Sequence, residues 1–146
     1  MPFGSDHIAD VVAIERLSFG VPWSYEAFAG ELKVKNSESL VAILNKGKES
    51  KVVGYITGRW ASDEAEIVNL AVHPDARRRG IARKLLLNLL DNLERKGVKK
   101  AFLEVRENNV AAIRLYEALG FKRVGLRKGY YVDTGEDALI MRLDIH

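Results

Sequence analysis

A basic loop that contains a glycine separates an apolar stretch of the chain from a long amphipathic stretch. The loop reads Arg77-Arg78-Arg79-Gly80-Ile81-Ala82, and apolar residues at helical spacing begin at its end. Backbone N–H groups at the start of a helix lack partners within the helix, and the helix dipole favours an anion there. Gly80 lets the backbone approach a ligand closely, and Ala82 keeps the first turn slim. Three arginines beside this helix start therefore predict a site for a pyrophosphate.

The chain of 146 residues has an ordinary globular composition, with 47% hydrophobic and 29% charged residues. This length predicts a single domain over residues 1–146 with a core of its own. No apolar stretch approaches the roughly 20 residues that cross a bilayer, and residues 1–6 do not resemble a signal peptide. We therefore expect a cytoplasmic protein with no membrane partner. Because the chain has no cysteine, disulfides, thiol nucleophiles and cysteine metal sites are excluded.

The net charge is only +3, but the positive residues concentrate in the middle of the chain. They are Arg77, Arg78, Arg79, Arg83, Lys84, Arg95, Lys96, Lys99 and Lys100. Such a cluster suits a polyanionic nucleotide cofactor, and it could also suit nucleic acid. Stacking aromatic residues are not interleaved with the cluster, so nucleic acid is the weaker interpretation.

The apolar pattern predicts two helices, three strands, and then strands that alternate with helices. Helices are expected at residues 6–17, 24–34, 81–96 and 109–119. Strands are expected at residues 39–44, 51–60, 66–72, 99–106, 121–132 and 138–143. Ser24 has the position of a helix cap, and Trp23 and Phe28 have the spacing of a hydrophobic staple. This order implies an α/β protein with a mixed sheet and helices on its faces.

Four segments of the chain resemble one family. The loop of residues 77–82 matches the Arg/Gln-x-x-Gly-x-Gly/Ala loop of the GNAT acyltransferase family, and it lies between a strand and an amphipathic helix as that loop does. Residues 103–109, with Ala112 and residues 115–121, resemble the N-terminal acetyltransferase branch. Tyr130-Tyr131 with residues 135–138 and Met141, and also Pro22-Trp23-Ser24, resemble the same branch. Together they cover nearly the whole chain and are most similar to RimI-type ribosomal-protein N-terminal acetyltransferases.

The resemblance implies a GNAT fold (α/β, also described as α+β), with a mixed, mostly antiparallel sheet of about six to seven strands and about four helices. It implies transfer of an acetyl group from acetyl-coenzyme A, without a metal, to the N-terminal α-amino group of a protein or peptide. A ribosomal protein is one candidate acceptor. Two alternatives stay open: a small-molecule amine or internal lysine as acceptor, or a non-catalytic module that binds RNA or the ribosome. The family usually opens with a strand, for which residues 1–4 leave little room, so that strand should be very short or absent.

The resemblance also implies how acetyl-coenzyme A is held. Main-chain groups of residues 70–72 would bond the pantetheine arm, and loop amides would hold the pyrophosphate. Arginine side chains can add charge-assisted bonds to phosphate oxygens. Asn109 has the position of a helix cap, and in this branch the matching asparagine also contacts the cofactor. The cofactor-binding residues expected are Leu70, Ala71, Val72, Arg77, Arg78, Arg79, Gly80, Ile81, Ala82, Asn109 and Tyr116.

Attack of a neutral amine on a thioester requires a proton acceptor for the amine and a proton for the departing thiolate. Glu104 is the predicted base; strand alternation puts it on one side with Phe102 and Arg106, and its alternative role is an ion pair with Arg106 or a nearby lysine. Tyr116 is the predicted proton donor to the coenzyme A sulfur, and its alternative role is that of a core aromatic. Glu66 is a second candidate base.

Three aromatic residues could form the walls of a groove for the first residues of a peptide: Trp23, Tyr130 and Tyr131. The alternative for Trp23 is the staple, and the alternative for the two tyrosines is an ordinary place on a strand. The histidines at positions 7, 73 and 146 follow no pattern that indicates a ligand.

Overall fold

The computed structural model describes residues 1–19 and 22–145 of the chain. The helices are α1 (Ile8–Ser18), α2 (Tyr25–Glu31), α3 (Ile81–Arg95) and α4 (Val110–Ala118). The strands are β1 (Ser37–Lys46), β2 (Glu49–Ala61), β3 (Glu64–Val72), β4 (Lys100–Arg106), β5 (Lys122–Arg127) and β6 (Ala138–Asp144). Within these ranges no helix has both the length and the apolar character that crossing a membrane needs. His146 lies outside the described residues.

The six strands form one sheet in the order β1-β2-β3-β4-β6-β5. Neighbouring strands are antiparallel except for β3 and β4, which are parallel. A parallel pair requires a crossover connection, and α3 supplies it. The predicted mixed, mostly antiparallel sheet with four helices is confirmed in the described part of the chain.

The first residues of the chain add a single bridge to the sheet. Pro2 forms an antiparallel bridge with Leu40. Beside it, the Phe3 N–H donates to the Ser39 carbonyl at 3.1 Å, and the Val41 N–H donates to the Met1 carbonyl at 2.8 Å. Proline is tolerated there because the outer edge of a sheet does not need its missing N–H. The expectation of a very short first strand is confirmed.

The helices lie on opposite faces of the sheet. Neighbouring residues of β2 show this, because Tyr55 packs in the cluster of α1 and α2 whereas Ile56 packs in the cluster of α3 and α4. Side chains on a strand alternate between faces. The apolar stripe of α3 is buried through Leu85, Leu86, Leu89, Leu90 and Leu93. This packing fixes the start of α3 against the sheet, next to the end of β3.

The helix α2 begins as predicted and ends early. Ser24 Oγ accepts a hydrogen bond from the Ala27 N–H at 3.1 Å, and the rings of Trp23 and Phe28 lie 5.2 Å apart. Both the cap and the staple are confirmed. The helix ends at Glu31 rather than at residue 34, because the hydrogen bonds change there to the tighter 3₁₀ pattern. The Lys33 N–H donates to the Gly30 carbonyl, and the Val34 N–H donates to the Glu31 carbonyl.

The predicted strand at residues 121–132 is wrong in its second half. β5 ends at Arg127, and residues 128–137 form a loop that we call the aromatic loop. Gly129 has a φ of +61° and Gly135 a φ of +72°, values that favour glycine and turn the chain. The Gly129 N–H donates to Asp137 Oδ1 at 2.8 Å. A carboxylate at the far end of the segment therefore closes the loop on itself.

Candidate functional site

The sheet opens between its two parallel strands. Pairing joins residues 64–67 of β3 to residues 100–103 of β4 and then stops. On the other side of β3 the ladder to β2 continues as far as Val72, after an irregularity beside Thr57 and Gly58 that leaves Val68 without a partner. In the described part of the chain, Leu70, Ala71 and Val72 therefore pair with β2 and not with β4. Their second edge can accept an extended, amide-bearing ligand.

The start of α3 lies next to this opening. Gly80 is its N-cap, with a φ of +72° and no side chain to satisfy the first N–H groups. Those groups, which include the N–H of Ile81 and Ala82, are directed out of the helix end and can bind an anion. A Cβ on Gly80 would meet no atom within 4 Å. Within the described residues, the glycine is thus required by its backbone angle and not by close packing.

The three arginines of the loop have different environments. Arg77 Nε donates to the Val72 carbonyl at 3.3 Å, which joins the loop to the end of β3. Arg78 has a φ of +66°, a strained value for a residue with a side chain. Arg78 and Arg79 are exposed. Their guanidinium groups are free to approach phosphate oxygens.

A cavity of about 570 Å³ lies on the sheet face opposite α3, where β3 and β4 meet. Its charged lining residues are Glu64, Glu66, Glu104, Arg59 and Arg127. Both predicted bases, Glu104 and Glu66, are thus brought together in one cavity. The expected alternation of β4 is also observed, since Phe102, Glu104 and Arg106 are half-buried and the residues between them are buried.

Glu104 has an ion-pair partner that differs from the alternative drawn from the sequence. Arg127, at the end of β5, places its Nε 3.3 Å from Glu104 Oε1. Arg106 is engaged by the aromatic loop instead, and no lysine among the described side chains forms an ion pair with Glu104. The nearby Glu104 carboxylate raises the pKa of Tyr130. Glu104 is therefore paired with a cation, Arg127, and has the phenol of Tyr130 nearby.

Tyr116 lies on α4, near Tyr131 of the aromatic loop. The side chain is buried and packs against Phe121 with 5.8 Å between ring centroids. Burial raises the pKa of Tyr116 to about 12, and the neighbouring Tyr131 contributes to the shift. The phenol therefore keeps its proton at neutral pH and can donate it. Asn109, at the start of the same helix, is its cap and accepts from the Ala112 N–H at 3.2 Å.

Tyr130 and Tyr131 lie in the aromatic loop and not on a strand, so the interpretation as strand aromatics is wrong. Their rings meet edge to face at 5.1 Å. Burial raises the pKa of Tyr131 to about 12, with Arg106 opposing the shift and Glu104 adding to it. Trp23 lies elsewhere, at the cap of α2, where the Arg59 guanidinium is 6.0 Å from its ring centroid. None of the three aromatic residues, Trp23, Tyr130 and Tyr131, is among the residues that line the cavity of Glu104.

A buried carboxylate that the sequence reasoning did not identify supports this region. Glu15 on α1 is 1% exposed and accepts from the Trp23 N–H at 2.8 Å, from Asn69 Nδ2 at 3.3 Å and from the Tyr55 hydroxyl. It thereby links α1 to β2 and to β3 just before Leu70. Its spacing of four residues from Val11 placed it on the buried face of α1, which was the available signal.

A second buried carboxylate holds one wall of the cavity. Glu31 is 3% exposed and accepts from Arg59 Nε at 2.9 Å and from Ser37 Oγ at 2.6 Å. Burial alone would raise the pKa of Glu31, but the hydrogen bonds from Arg59 and Ser37 bring it below its usual value. The Glu31 carboxylate therefore compensates the positive charge of Arg59 from outside the lining of the cavity.

Comparison with known proteins agrees with this geometry. The sequence model of the Acetyltransferase (GNAT) family matches residues 8–121. The ribosomal protein bS18-alanine N-acetyltransferase of Escherichia coli (strain K12) is 40% identical over 134 residues, which is 90% of this chain and 87% of that protein. The N-alpha-acetyltransferase RimI of Mycobacterium tuberculosis (strain H37Rv) is 41% identical over 127 residues, or 84% of this chain and 76% of that protein.

A solved structure shares the whole architecture. The crystal structure of the ribosomal-protein-S18-alanine N-acetyltransferase from Escherichia coli matches with a TM-score of 0.87 and 36% identity, covering 99% of this chain and 92% of that chain. This chain belongs to the GNAT family of acetyltransferases.

Proposed function

We propose that this protein transfers an acetyl group from acetyl-coenzyme A to the N-terminal α-amino group of a protein or peptide. The observation that carries the proposal is the open edge of β3 beside the uncapped start of α3. An extended amide arm that ends in a pyrophosphate fits these two features together, because one offers main-chain partners and the other offers N–H groups for an anion. The names of the relatives support the same reaction.

Residues of the opening would hold the co-substrate. The free edge of Leu70, Ala71 and Val72 bonds the pantetheine amides. The amides of Arg78 to Ala82 hold the diphosphate, while Arg78 and Arg79 add charge from their exposed positions. Asn109, which follows the end of β4, would be a further contact, although its side-chain oxygen already caps α4. Acetyl-coenzyme A supplies the activated acetyl group, and no metal is needed for the transfer.

Two side chains would move the protons of the reaction. Glu104, in the cavity, accepts the proton of the attacking amine, directly or through water, and Glu66 is the second candidate for this role. Tyr116, whose pKa is raised by burial to about 12, holds a proton for the departing sulfur. Tyr130 and Tyr131 would border the acceptor groove from the aromatic loop, where the Tyr130 ring lies 5.7 Å from the Cζ of the cavity residue Arg127. Trp23 would lie farther away, beside Arg59.

The chemistry favours a chain terminus as acceptor. An α-amino group with a pKa near 7.7 to 8.0 is roughly a quarter to a third neutral at pH 7.5, whereas a lysine near 10.4 is about a thousandth neutral. Deprotonation costs about half a kcal/mol for the terminus and about 4 kcal/mol for lysine. A single carboxylate such as Glu104 suits the easier task.

The same proposal indicates the class of acceptor and the cellular compartment of the reaction. Relatives named for the alanine of ribosomal protein bS18 support a ribosomal protein as the acceptor of this chain. Such an acceptor would place the reaction in the cytoplasm, where ribosomes are assembled. We also propose that residues 1–146 form one acetyltransferase domain, since the single sheet uses strands from both halves of the chain.

The test compares two sets of peptides that differ only at the terminus. One set carries free α-amines and the other carries blocked α-amines, and both contain one internal lysine. We expect acetylation of the free set alone, measured by mass spectrometry with acetyl-coenzyme A as donor. Equal modification of both sets would overturn the proposal and assign the lysine as acceptor. Calorimetric titration with acetyl-coenzyme A provides the control that the protein is competent to bind.

A further inference from the structure

Arg106 ends β4 two residues after Glu104, on the same side of the strand, and its guanidinium makes several contacts with the aromatic loop. Its Nη2 donates to both carboxylate oxygens of Asp133, at 3.0 and 2.9 Å. Its Nη1 donates to Thr134 Oγ1 at 3.1 Å and lies 3.5 Å from Glu136 Oε1. One side chain thus binds three separate residues of the loop.

The same guanidinium also covers an aromatic ring. The Arg106 Cζ lies 4.0 Å from the centroid of Tyr131, well within the range of a cation–π contact. The side chains of Arg106 and Asp133 are each 23% exposed. Because these groups are largely shielded from water, their interaction is screened less than that of an exposed surface pair. The planar fork of arginine matches this combination of carboxylate and ring, and a lysine ammonium does not.

The position of Tyr131 gives this anchor its importance. Its ring meets the ring of Tyr130 at 5.1 Å. The Arg127 guanidinium, which pairs with Glu104, lies 5.7 Å from the centroid of Tyr130. The aromatic loop is therefore connected to the candidate base through Tyr130 and Arg127.

We propose that Arg106 is a positioning residue, which fixes Asp133, Thr134 and Tyr131 to the end of β4 and so holds the aromatic loop as the wall of the acceptor site. This inference rests on the proposed function, because it assigns the loop to the acceptor and not to acetyl-coenzyme A. Arg106 itself does not touch the substrate. β4 then carries both Glu104, the candidate base, and Arg106, which positions the aromatic loop.

The test uses two variants and a matched control. Arg106→Met keeps the length of the side chain without its charge and fork, and Arg106→Lys keeps the charge alone. Arg123→Met is the control, since Arg123 forms an exposed pair with Glu117 at 3.4 Å, away from the cavity. We expect Arg106→Met to raise the KM of a free-terminus peptide by about ten-fold. The KM of acetyl-coenzyme A and the midpoint of unfolding should stay close to those of the control.

A second measurement does not depend on turnover. Amide hydrogen exchange should accelerate in residues 128–137 of Arg106→Met, and little elsewhere, because the loop loses its anchor. Arg106→Lys should restore part of the peptide KM. An unchanged peptide KM would overturn the proposal, and so would an equal rise in the KM of both substrates. If the wild-type protein acetylates no peptide terminus, the proposed function fails instead, and exchange in the loop then decides whether Arg106 holds it.

Discussion

The hydroxyl of Tyr116 is in a buried position on α4, where burial raises its pKa to about 12. Replacing this tyrosine with phenylalanine removes the proton donor and leaves the ring that packs on Phe121. We expect Tyr116→Phe to lower kcat by about a hundred-fold, a usual size for loss of an acid catalyst. The affinity for acetyl-coenzyme A, measured by calorimetry, should change little.

Tyr25→Phe is the control for that substitution, because Tyr25 is exposed at the start of α2. Unchanged turnover in Tyr116→Phe would remove the acid role. The pH profile offers an independent check. Since the raised pKa keeps Tyr116 protonated until the solution approaches about pH 12, the wild-type rate should not fall between about pH 8 and 10 through loss of this proton.

Glu104 can be tested by the dependence of its loss on pH. Glu104→Gln should reduce the rate most at low pH, by about ten-fold near pH 6.5, because most of the α-amine is then protonated and needs a base. Near pH 9 the reduction should be small. Glu66→Gln, measured in parallel, separates the two candidate bases of the cavity. A uniform reduction across the pH range would indicate that Glu104 only positions the acceptor.

At the scale of elements, the start of α3 depends on a glycine for its backbone angle. Gly80→Ala must hold a φ of +72°, which costs about 1–2 kcal/mol for a residue with a Cβ. We expect the strain to move the loop and to weaken acetyl-coenzyme A binding, measured by calorimetry. Gly47→Ala is the matched control, since Gly47 has a φ of +60° and also has open space around it. An equal effect of both variants on binding would contradict the role of the α3 start.

The contact between β2 and α3 depends on a glycine for its space. A Cβ on Gly54 would lie 3.2 Å from the Ala71 carbonyl and 3.2 Å from Leu85 Cδ1. Gly54→Ala should therefore lower the free energy of unfolding by about 1–3 kcal/mol, the usual cost of overpacking. In α2, Gly30→Ala meets nothing within 4 Å and should stabilise the protein slightly. Denaturation with urea compares the two, and equal midpoints would contradict the packing argument.

At the scale of the whole molecule, the sequence predicted the parts that depend on local signals. Ser24 as a cap, the contact of Trp23 with Phe28, and the apolar stripe of α3 follow from spacing along a few residues. The mixed sheet follows from the order of strands and helices. The basic loop at the start of α3 was equally visible, because its arginines, its glycine and the apolar stripe that follows lie in one short segment.

The remaining features depend on partners that are distant in the sequence. Glu15 contacts Asn69 and Tyr55 only after folding. The sequence around Glu15 therefore gives no sign of a buried carboxylate, apart from its place on the apolar face of α1. The sequence predicts a strand in the first part of the aromatic loop because Tyr130 and Tyr131 are strand-forming residues. Its closure depends on Asp137, at the far end of the segment.

Only four residue pairs join β3 to β4, so the ladder that unites β1, β2 and β3 with β4, β6 and β5 is short. Acetyl-coenzyme A, bound as proposed, would pair with the open edge of β3, and mass action would then add about 2.7 kcal/mol of stability at a hundred times its Kd. Ligand binding and the stability of the sheet are then thermodynamically coupled. Without ligand, amides bordering the opening should exchange before those of the outer strands, and acetyl-coenzyme A should slow exchange on both sides together.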